Sequence, residues 1–486
     1  MAYRTSCVIE HPRDVVFAWH QRPGALRRLT APWLPMRVDR EAANLRDGVA
    51  VFAVPAGLRL TSHHDPGGYT PGVQFVDAVR LPGGIPAPWR HEHRFEDGAR
   101  GTTVQTDTIR APAPARLLDP IAAFRTRQLT GDLGLHTELA EFAPGALTVG
   151  ITGTDRPVGE ALAALLTTGG HRVVHLVPAG PPHLDADQPT SPLPDPATLD
   201  GDHRDDGAGA APGTVGTPWA DEGALWRLWD PIDPDPALAE GLDAVVHLAN
   251  APLVGRYVGP SLREGLRRYV DTTAALARVA GDAAFIHAST IGVYGVDSGE
   301  APLDEDDPTG TDTLAEMVRR VEAAAREAPG RSVSVRLGVV VSARVGVLVW
   351  QRPLVAAGVY TLQGPPRAWA SWIGLDDLVD VFARAVVDDA LRGPINAVTP
   401  HPVRRHEWLA TVAAAHGRMA MLPLPASFSR AILGPERTRA AKGTRQRVEP
   451  AVLAEAGHRF RFPHLADAMG HELGVSAQPR VSARTW

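Results

Sequence analysis

The residues with the clearest chemical potential are Thr152-Gly153 and Gly159. They follow an apolar run at 147–151 and open a helical pattern, and a second β-like run follows at 172–177. Strand, glycine turn, helix and strand in that order open a nucleotide-binding βαβ unit. Glycine permits the tight turn, and the backbone N–H groups of the helix start suit a pyrophosphate. The turn keeps its first and last glycines, but Arg156 stands at the middle place and Pro157 beside it. Neither allows glycine's close backbone approach. Proline is at home in a helix's first turn, and a guanidinium at a helix N-terminus suits a phosphate. Two outcomes stay open, a turn that holds a nucleotide and a structural turn that holds none. Gly153, Thr154, Arg156 and Gly159 are the expected cofactor contacts, joined by Asp230, Leu248 and Ala249 at later strand ends.

An acidic side chain after the second strand of such a unit takes a ribose hydroxyl, and an arginine takes a 2′-phosphate. Val177-Pro178-Ala179 offers neither, so NAD and NADP both remain possible, with Arg156 tilting toward NADP. Asp230, in Trp229-Asp230-Pro231, could accept from an adenine amino group or simply face solvent in a proline turn. At a later strand end the chain reads His287-Ala288-Ser289-Thr290-Ile291-Gly292-Val293-Tyr294-Gly295. Hydroxyls there lie over the ligand crevice of an open α/β sheet. Thr290 and Tyr294 are therefore the candidate catalytic groups, polarising a substrate oxygen; Tyr294 could instead pack. Asp376 and Asp377 read as a helix start with a structural role. His63-His64 and His91-x-His93 have metal-like density, but without further ligands at a known spacing no metal is expected.

Around these residues the chain changes character. Residues 1–144 show β-like runs at 4–10, 50–55, 73–80, 91–95 and 102–109, a helical pattern at 13–28 broken at Pro23-Gly24, and a long helical stretch at 114–140. This α+β layout commonly encloses an apolar cavity. Residues 147–400 alternate strand and helix. Apolar runs at 147–151, 173–177, 244–249, 284–287 and 333–341 read as buried strands of a doubly wound parallel sheet. Residues 178–222, rich in Pro, Asp, Gly and Ala, read as a flexible insertion. From 401 to 486 the pattern is helical and basic.

The 486 residues carry a formal net charge of −6, which argues against a nucleic-acid partner. Cys7 is the single cysteine, which fits a reducing, cytoplasmic setting. No apolar run approaches the ~20 residues of a membrane span. Lys442 is the sole lysine; arginine, always charged, cannot replace it in proton transfer.

With these residues in view the chain resembles a bacterial group of epimerase-like, atypical short-chain dehydrogenases with an N-terminal helix-grip (SRPBCC/START-like) domain. In the first domain the likeness rests on Phe17-Ala18-Trp19-His20-x-x-Pro23-Gly24, Leu29-Thr30-Ala31-Pro32-Trp33, Phe75-x-Asp77 and Trp89-x-His91-x-His93-x-Phe95. In the second it rests on Trp229-Asp230-Pro231, the stretch from Asp243 to Ala249, that from Ser289 to Gly295, Val335-Arg336-Leu337-Gly338 and Trp372-Ile373-x-x-Asp376-Asp377. In the tail it rests on Asn396-Ala397-Val398-x-Pro400, Leu433-Gly434, Gly457-x-x-Phe460 and Phe462-Pro463. The resemblance implies an α/β Rossmann domain preceded by the α+β helix-grip domain, NADP binding, and an oxidoreductase or sugar-nucleotide epimerase activity. The chain departs from the family pattern at Arg156, Pro178, Asn250 and Gly374. The Tyr-x-x-x-Lys pair of short-chain dehydrogenases falls on Leu314 and Val318, so the usual proton relay is absent. The expectation is thus a NAD(P)-dependent oxidoreductase or epimerase-like protein acting on a small molecule, with an apolar ligand in its first domain. The alternative is a non-catalytic binding or scaffold protein on a degenerate version of the fold.

Overall fold

The computed structural model describes residues 2–179, 225–248, 260–295, 299–360, 365–417, 422–423 and 445–475. Residues 180–222 of the expected insertion, Ala249, Asn250, Leu433-Gly434 and Lys442 lie outside the described residues. The chain divides into two compact units, Met1–Thr148 with Ala163–Trp229, and Val149–Leu162 with Asp230–Trp486.

The first unit opens with β1 (Ala2–Ile9), α1 (Arg13–Gln21) and α2 (Ala25–Leu29). The break between these helices falls at Pro23-Gly24. Gly24 has φ +93°, and a Cβ there would come within 2.6 Å of the Ala164 carbonyl oxygen, so the turn needs glycine for conformation and for space. Next come β2 (Arg37–Arg40), β3 (Val49–Val54), β4 (Leu58–His64), β5 (Gln74–Arg80), β6 (Pro86–Asp97), β7 (Thr103–Arg110) and α3 (Ala115–Leu139). The strands form one antiparallel sheet in the order β1-β7-β6-β5-β4-β3-β2. The sequence pattern had no counterpart for β2 and β4. β4 places Leu58 and Arg59 in solvent, so it lacks the apolar run that marks a strand. Phe17, Trp19, Leu29, Phe75, Phe95, Leu129 and Leu133 are buried together. Beside them Arg28 grips Asp132 through two hydrogen bonds of 2.8 and 2.6 Å, tying α2 to α3.

The cavity between β7 and α3 is small and polar. It measures about 10 Å³ and is bordered by Gln105, Asp107 and Arg125 as well as Leu29 and Leu129, room for little more than one water. The apolar ligand chamber expected from the sequence is not what this cavity provides, because ionisable side chains occupy the inner face of the sheet.

The parallel sheet runs in the order β10-β9-β8-β11-β12-β13-β18. It contains β8 (Thr148–Thr152), β9 (Arg172–Pro178), β10 (Leu225–Trp229), β11 (Ala244–His247), β12 (Ala284–Thr290), β13 (Ser332–Leu337) and, later in the chain, β18 (Gly393–Ala397). The crossover helices are α4 (Pro157–Thr168), α5 (Pro260–Val279) and α6 (Thr313–Ala325). The sheet reverses direction of growth at β8, as in a doubly wound Rossmann-like fold. All four residues of β11 and the first six of β12 are buried, which is why these strands read as unbroken apolar runs.

The expected strand at 333–341 is two strands, β13 and β14 (Val339–Val341). Gly338 separates them. A Cβ there would lie 2.8 Å from Val398 Cγ1 and 2.9 Å from the Ser371 carbonyl. The backbone uses that space to change partners, with Gly338 N–H donating to Ala397 and Val339 N–H to Ser371. Beyond β14 come α7 (Val347–Ala356), β15 (Val359–Tyr360), β16 (Trp369–Ala370), β17 (Trp372–Gly374) and α8 (Leu375–Val387). The tail contains α9 (Arg405–Ala415) and short helices at Ala451–Glu455 and Leu465–Leu473. Trp372, Trp408, Val412, Met469 and Leu473 share a core with Val341 and Leu348. No helix among the described residues is long and apolar enough to cross a membrane.

Candidate functional site

β8 ends at Thr152, and Gly153 turns the chain with φ +74°. Only glycine adopts that conformation without strain. Arg156 N–H donates to the Gly153 carbonyl at 3.1 Å, and Glu160 N–H to the Arg156 carbonyl at 2.8 Å. The helix therefore starts within the turn, and Pro157 fits its first turn. Gly159 faces back onto the turn. A Cβ on it would lie 2.2 Å from the Gly153 carbonyl oxygen and 2.9 Å from the Thr154 Cα. The first and last glycines thus keep their two separate jobs, the tight turn and the close strand–helix approach. Arg344 pairs with Glu160 one turn into α4.

The ends of β8 and β11 are tied together by side chains. Thr152 Oγ1 lies 2.9 Å from His247 Nδ1 and accepts from Leu248 N–H at 3.1 Å. Burial, then the neighbouring His287, lowers the His247 pKa to about 3, so this imidazole is neutral. These bonds fix the strand ends at the point where the sheet order reverses, the crevice in which such sheets hold ligands. Leu248 is buried there. Asp230 is exposed, and its carboxylate accepts from Ile232 N–H at 2.8 Å, closing its own proline turn.

Thr290 and Tyr294 part company. Thr290 ends β12, is half-buried, and caps the following turn by accepting from Gly292 N–H at 3.2 Å. A hydroxyl that accepts in this way still has its own proton to donate. Tyr294 is only 3 % exposed. Its hydroxyl accepts from Arg336 at 2.9 Å and lies 2.9 Å from Asn396 Oδ1 and 2.7 Å from the Asp304 carbonyl, its alternative acceptors. Burial outweighs the pull of Arg336 and pushes its pKa up to about 12.

Beneath this tyrosine, Arg336 makes two bonds of 2.9 Å to the Glu322 carboxylate, which also accepts from Ser289 Oγ at 2.7 Å. Burial would raise Glu322, but Arg336 holds it below the ordinary carboxylate value. Sequence reasoning missed this network. Its members sit on β12, α6, β13 and β18, and their spacing in the chain carries no signal. The positions of the absent Tyr-x-x-x-Lys pair are apolar here. Leu314 and Val318 pack with Ile291, Val293 and Tyr294.

Asp376 and Asp377 fasten the tail to α8. Asp377 accepts from the backbone N–H groups of Arg461 and Phe462 at 2.5 and 3.2 Å, and Asp376 lies 3.0 Å from His471 Nε2. Burial, then Asp380, raises the Asp377 pKa to about 7. Glu472 accepts from Ala343 N–H at 2.8 Å. Burial, then Asp376, pushes its pKa up to about 8.

Comparison with known proteins places this architecture. A family model described as "Domain of unknown function (DUF1731)" matches residues 424–472. An epimerase family protein of Mycobacterium bovis is 34% identical over 244 residues, 49% of this chain and 80% of that protein. The human epimerase family protein SDR39U1 is 30% identical over 250 residues, 48% of this chain and 84% of its own. Among solved structures, the nucleoside-diphosphate sugar epimerase from Corynebacterium glutamicum is 33% identical with a TM-score of 0.76. That likeness covers 97% of this chain and 90% of the other, so it takes in the antiparallel sheet as well. Human SDR39U1 with NADPH shares the fold at 23% identity and a TM-score of 0.50, over 68% of this chain and 99% of its own.

Proposed function

The chain belongs to the epimerase family of short-chain dehydrogenase/reductase-type proteins, and from that premise we propose that the crevice at the ends of β8, β11 and β12 binds a nicotinamide dinucleotide, NADPH by preference, for chemistry on a small hydroxyl or carbonyl compound. The observation that carries this reading is Gly159. It lets the start of α4 pack directly against Gly153, which is held at positive φ, so that the helix N-terminus is brought to the end of β8. A helix N-terminus held at the end of a parallel strand is where such folds place a pyrophosphate.

Gly153, Thr154, Arg156 and Gly159 would hold the pyrophosphate, with Arg156 supplying charge where the family has glycine. Leu248 and Ala249 would border the nucleotide from the neighbouring strand end, and Asp230 would serve the adenine end. When bound, the nicotinamide accepts or donates the hydride. Thr290 would donate a hydrogen bond to the substrate oxygen and polarise it, oriented by the bond from Gly292 N–H. Tyr294 supports the Thr290 turn from below through Arg336 and Asn396. The names of the Corynebacterium and human structures, a nucleoside-diphosphate sugar epimerase and a protein with NADPH, support a nucleotide cofactor and a nucleotide-sugar class of substrate. In this reading 1–144 form a helix-grip (SRPBCC/START-like) domain, 147–400 the Rossmann domain and 401–486 a family-specific tail, working in the cytoplasm.

Leu314 and Val318 favour a second reading, a protein that binds the dinucleotide without turnover. One experiment covers both. NADPH and NADH are titrated by fluorescence into the wild type and Arg156→Ala. Saturable NADPH binding below about 100 μM, with NADPH and NADH both weakened roughly tenfold in Arg156→Ala, supports the site, because the pyrophosphate is common to the two. Turnover lost in Thr290→Val then separates enzyme from binder. No binding of either nucleotide at millimolar levels rejects both readings.

A further inference from the structure

We propose that Asp77, His91 and His93, on the inner face of the antiparallel sheet, form a binding site for a first-row divalent transition-metal ion of the zinc class. The register builds the cluster. Asp77 on β5 pairs directly with His91 on β6, and His93, two residues on, shares the same face. Asp77 Oδ2 lies 4.0 Å from His91 Nδ1 and 3.7 Å from His93 Nε2. One ligand atom from each of the three residues falls within 4.8 Å of the others. A tetrahedral zinc ion, bonded at about 2.0–2.1 Å, holds its ligands roughly 3.3 Å apart, so movements of less than about 1 Å close the set.

The opposite edges of these side chains are also placed. Asp107 Oδ1, across the register from His93, lies 2.7 Å from His93 Nδ1 and 3.5 Å from His91 Nε2. Ser62 Oγ donates to Asp77 Oδ1 at 2.7 Å. Ser62 fixes the outer edge of Asp77, and the Asp107 carboxylate stands behind both imidazoles, the usual kind of support for metal-binding histidines. Two imidazoles and a carboxylate suit a zinc-class ion and leave a coordination position for water or a small ligand. His64 is the cross-strand neighbour of Asp77, and its buried Nδ1 has no hydrogen-bond partner among the described residues. The histidine side chains are 7 % and 3 % exposed, while that of Asp77 keeps 18 %, which gives the ion a route from solvent.

The test uses the full chain, treated with chelator and then titrated with Co²⁺ alone and Zn²⁺ alone. The expected result is one Co²⁺ per chain with visible ligand-field bands, displaced by Zn²⁺. Asp77→Asn and His91→Gln should each lower affinity by about 100-fold or more, Asp107→Asn by roughly 10–100-fold, and His63→Ala not at all. Circular dichroism reports whether each variant folds. Should any variant fail to fold, the wild-type titration still decides. Absence of saturable binding below about 100 μM overturns the proposal, as does stoichiometry under one half or binding indifferent to both Asp77→Asn and His91→Gln.

Discussion

The crevice above β8 and the inner face of the antiparallel sheet are built on opposite principles. In the crevice the backbone carries the chemistry. Gly153 and Gly159 contribute no side chains, and what matters is their conformation and the space they leave. On the antiparallel sheet the side chains carry it. Asp77, His91, His93 and Asp107 come from three strands and meet only because the register aligns them. A backbone site of this kind depends on the residues whose own backbone bends or packs, here Gly153 and Gly159. A side-chain site depends on every member, since each is a separate ligand or support.

The difference is open to attack, beginning with the largest effect. Below the crevice, Glu322→Leu leaves Arg336 buried and unpaired, which costs about 3–5 kcal/mol. Chemical denaturation should show the loss, and a double change that also replaces Arg336 with Met should recover most of it. If the single change is silent, the Rossmann core does not depend on this pair. Gly159→Ala comes next. It forces a methyl against the Gly153 carbonyl, a strain of about 1–3 kcal/mol, and should abolish nucleotide binding while Thr154→Ala, at the turn's edge, changes it little. Equal effects from the two would remove the distinction between backbone and side-chain sites.

A pH series probes the tail that is fastened to α8. Asp377 and Glu472 have folded pKa values raised to about 7 and about 8. The folded state then holds protons that the unfolded state has released, so stability present at acid pH is lost as pH rises toward 8. Thermal unfolding should occur at lower temperature at pH 9 than at pH 6, and Glu472→Gln should flatten that dependence. An unchanged slope in Glu472→Gln would place the titration elsewhere. The smallest expected effect is at Arg156. Its replacement by Ala should cost about 1–2 kcal/mol of NADPH affinity with no change in fold.

This contrast also explains how far the sequence could be read. The Rossmann strands announced themselves because burial on both faces demands continuous apolar runs, and the glycine turn because its parts lie within eight residues. The break at Gly338 was not legible, since its cause is the approach of Ser371 and Val398 from distant segments. Tyr294 reads from the sequence as a candidate catalytic group, but its surroundings of Arg336, Asn396 and the Asp304 carbonyl come from elements far apart in the chain. His91-x-His93 reads as incomplete for a metal motif, because Asp77, the third member of the proposed site, is brought in by strand pairing. Sequence spacing records local geometry; register does not show in it.

The most direct test of the central claim is calorimetric titration of the full chain with NADPH, run in parallel on Gly159→Ala. The account predicts one saturable site per wild-type chain with Kd below about 100 μM, and loss of that site in a folded Gly159→Ala protein. Absence of binding to the wild type at millimolar NADPH, or equal binding by both proteins, would contradict it.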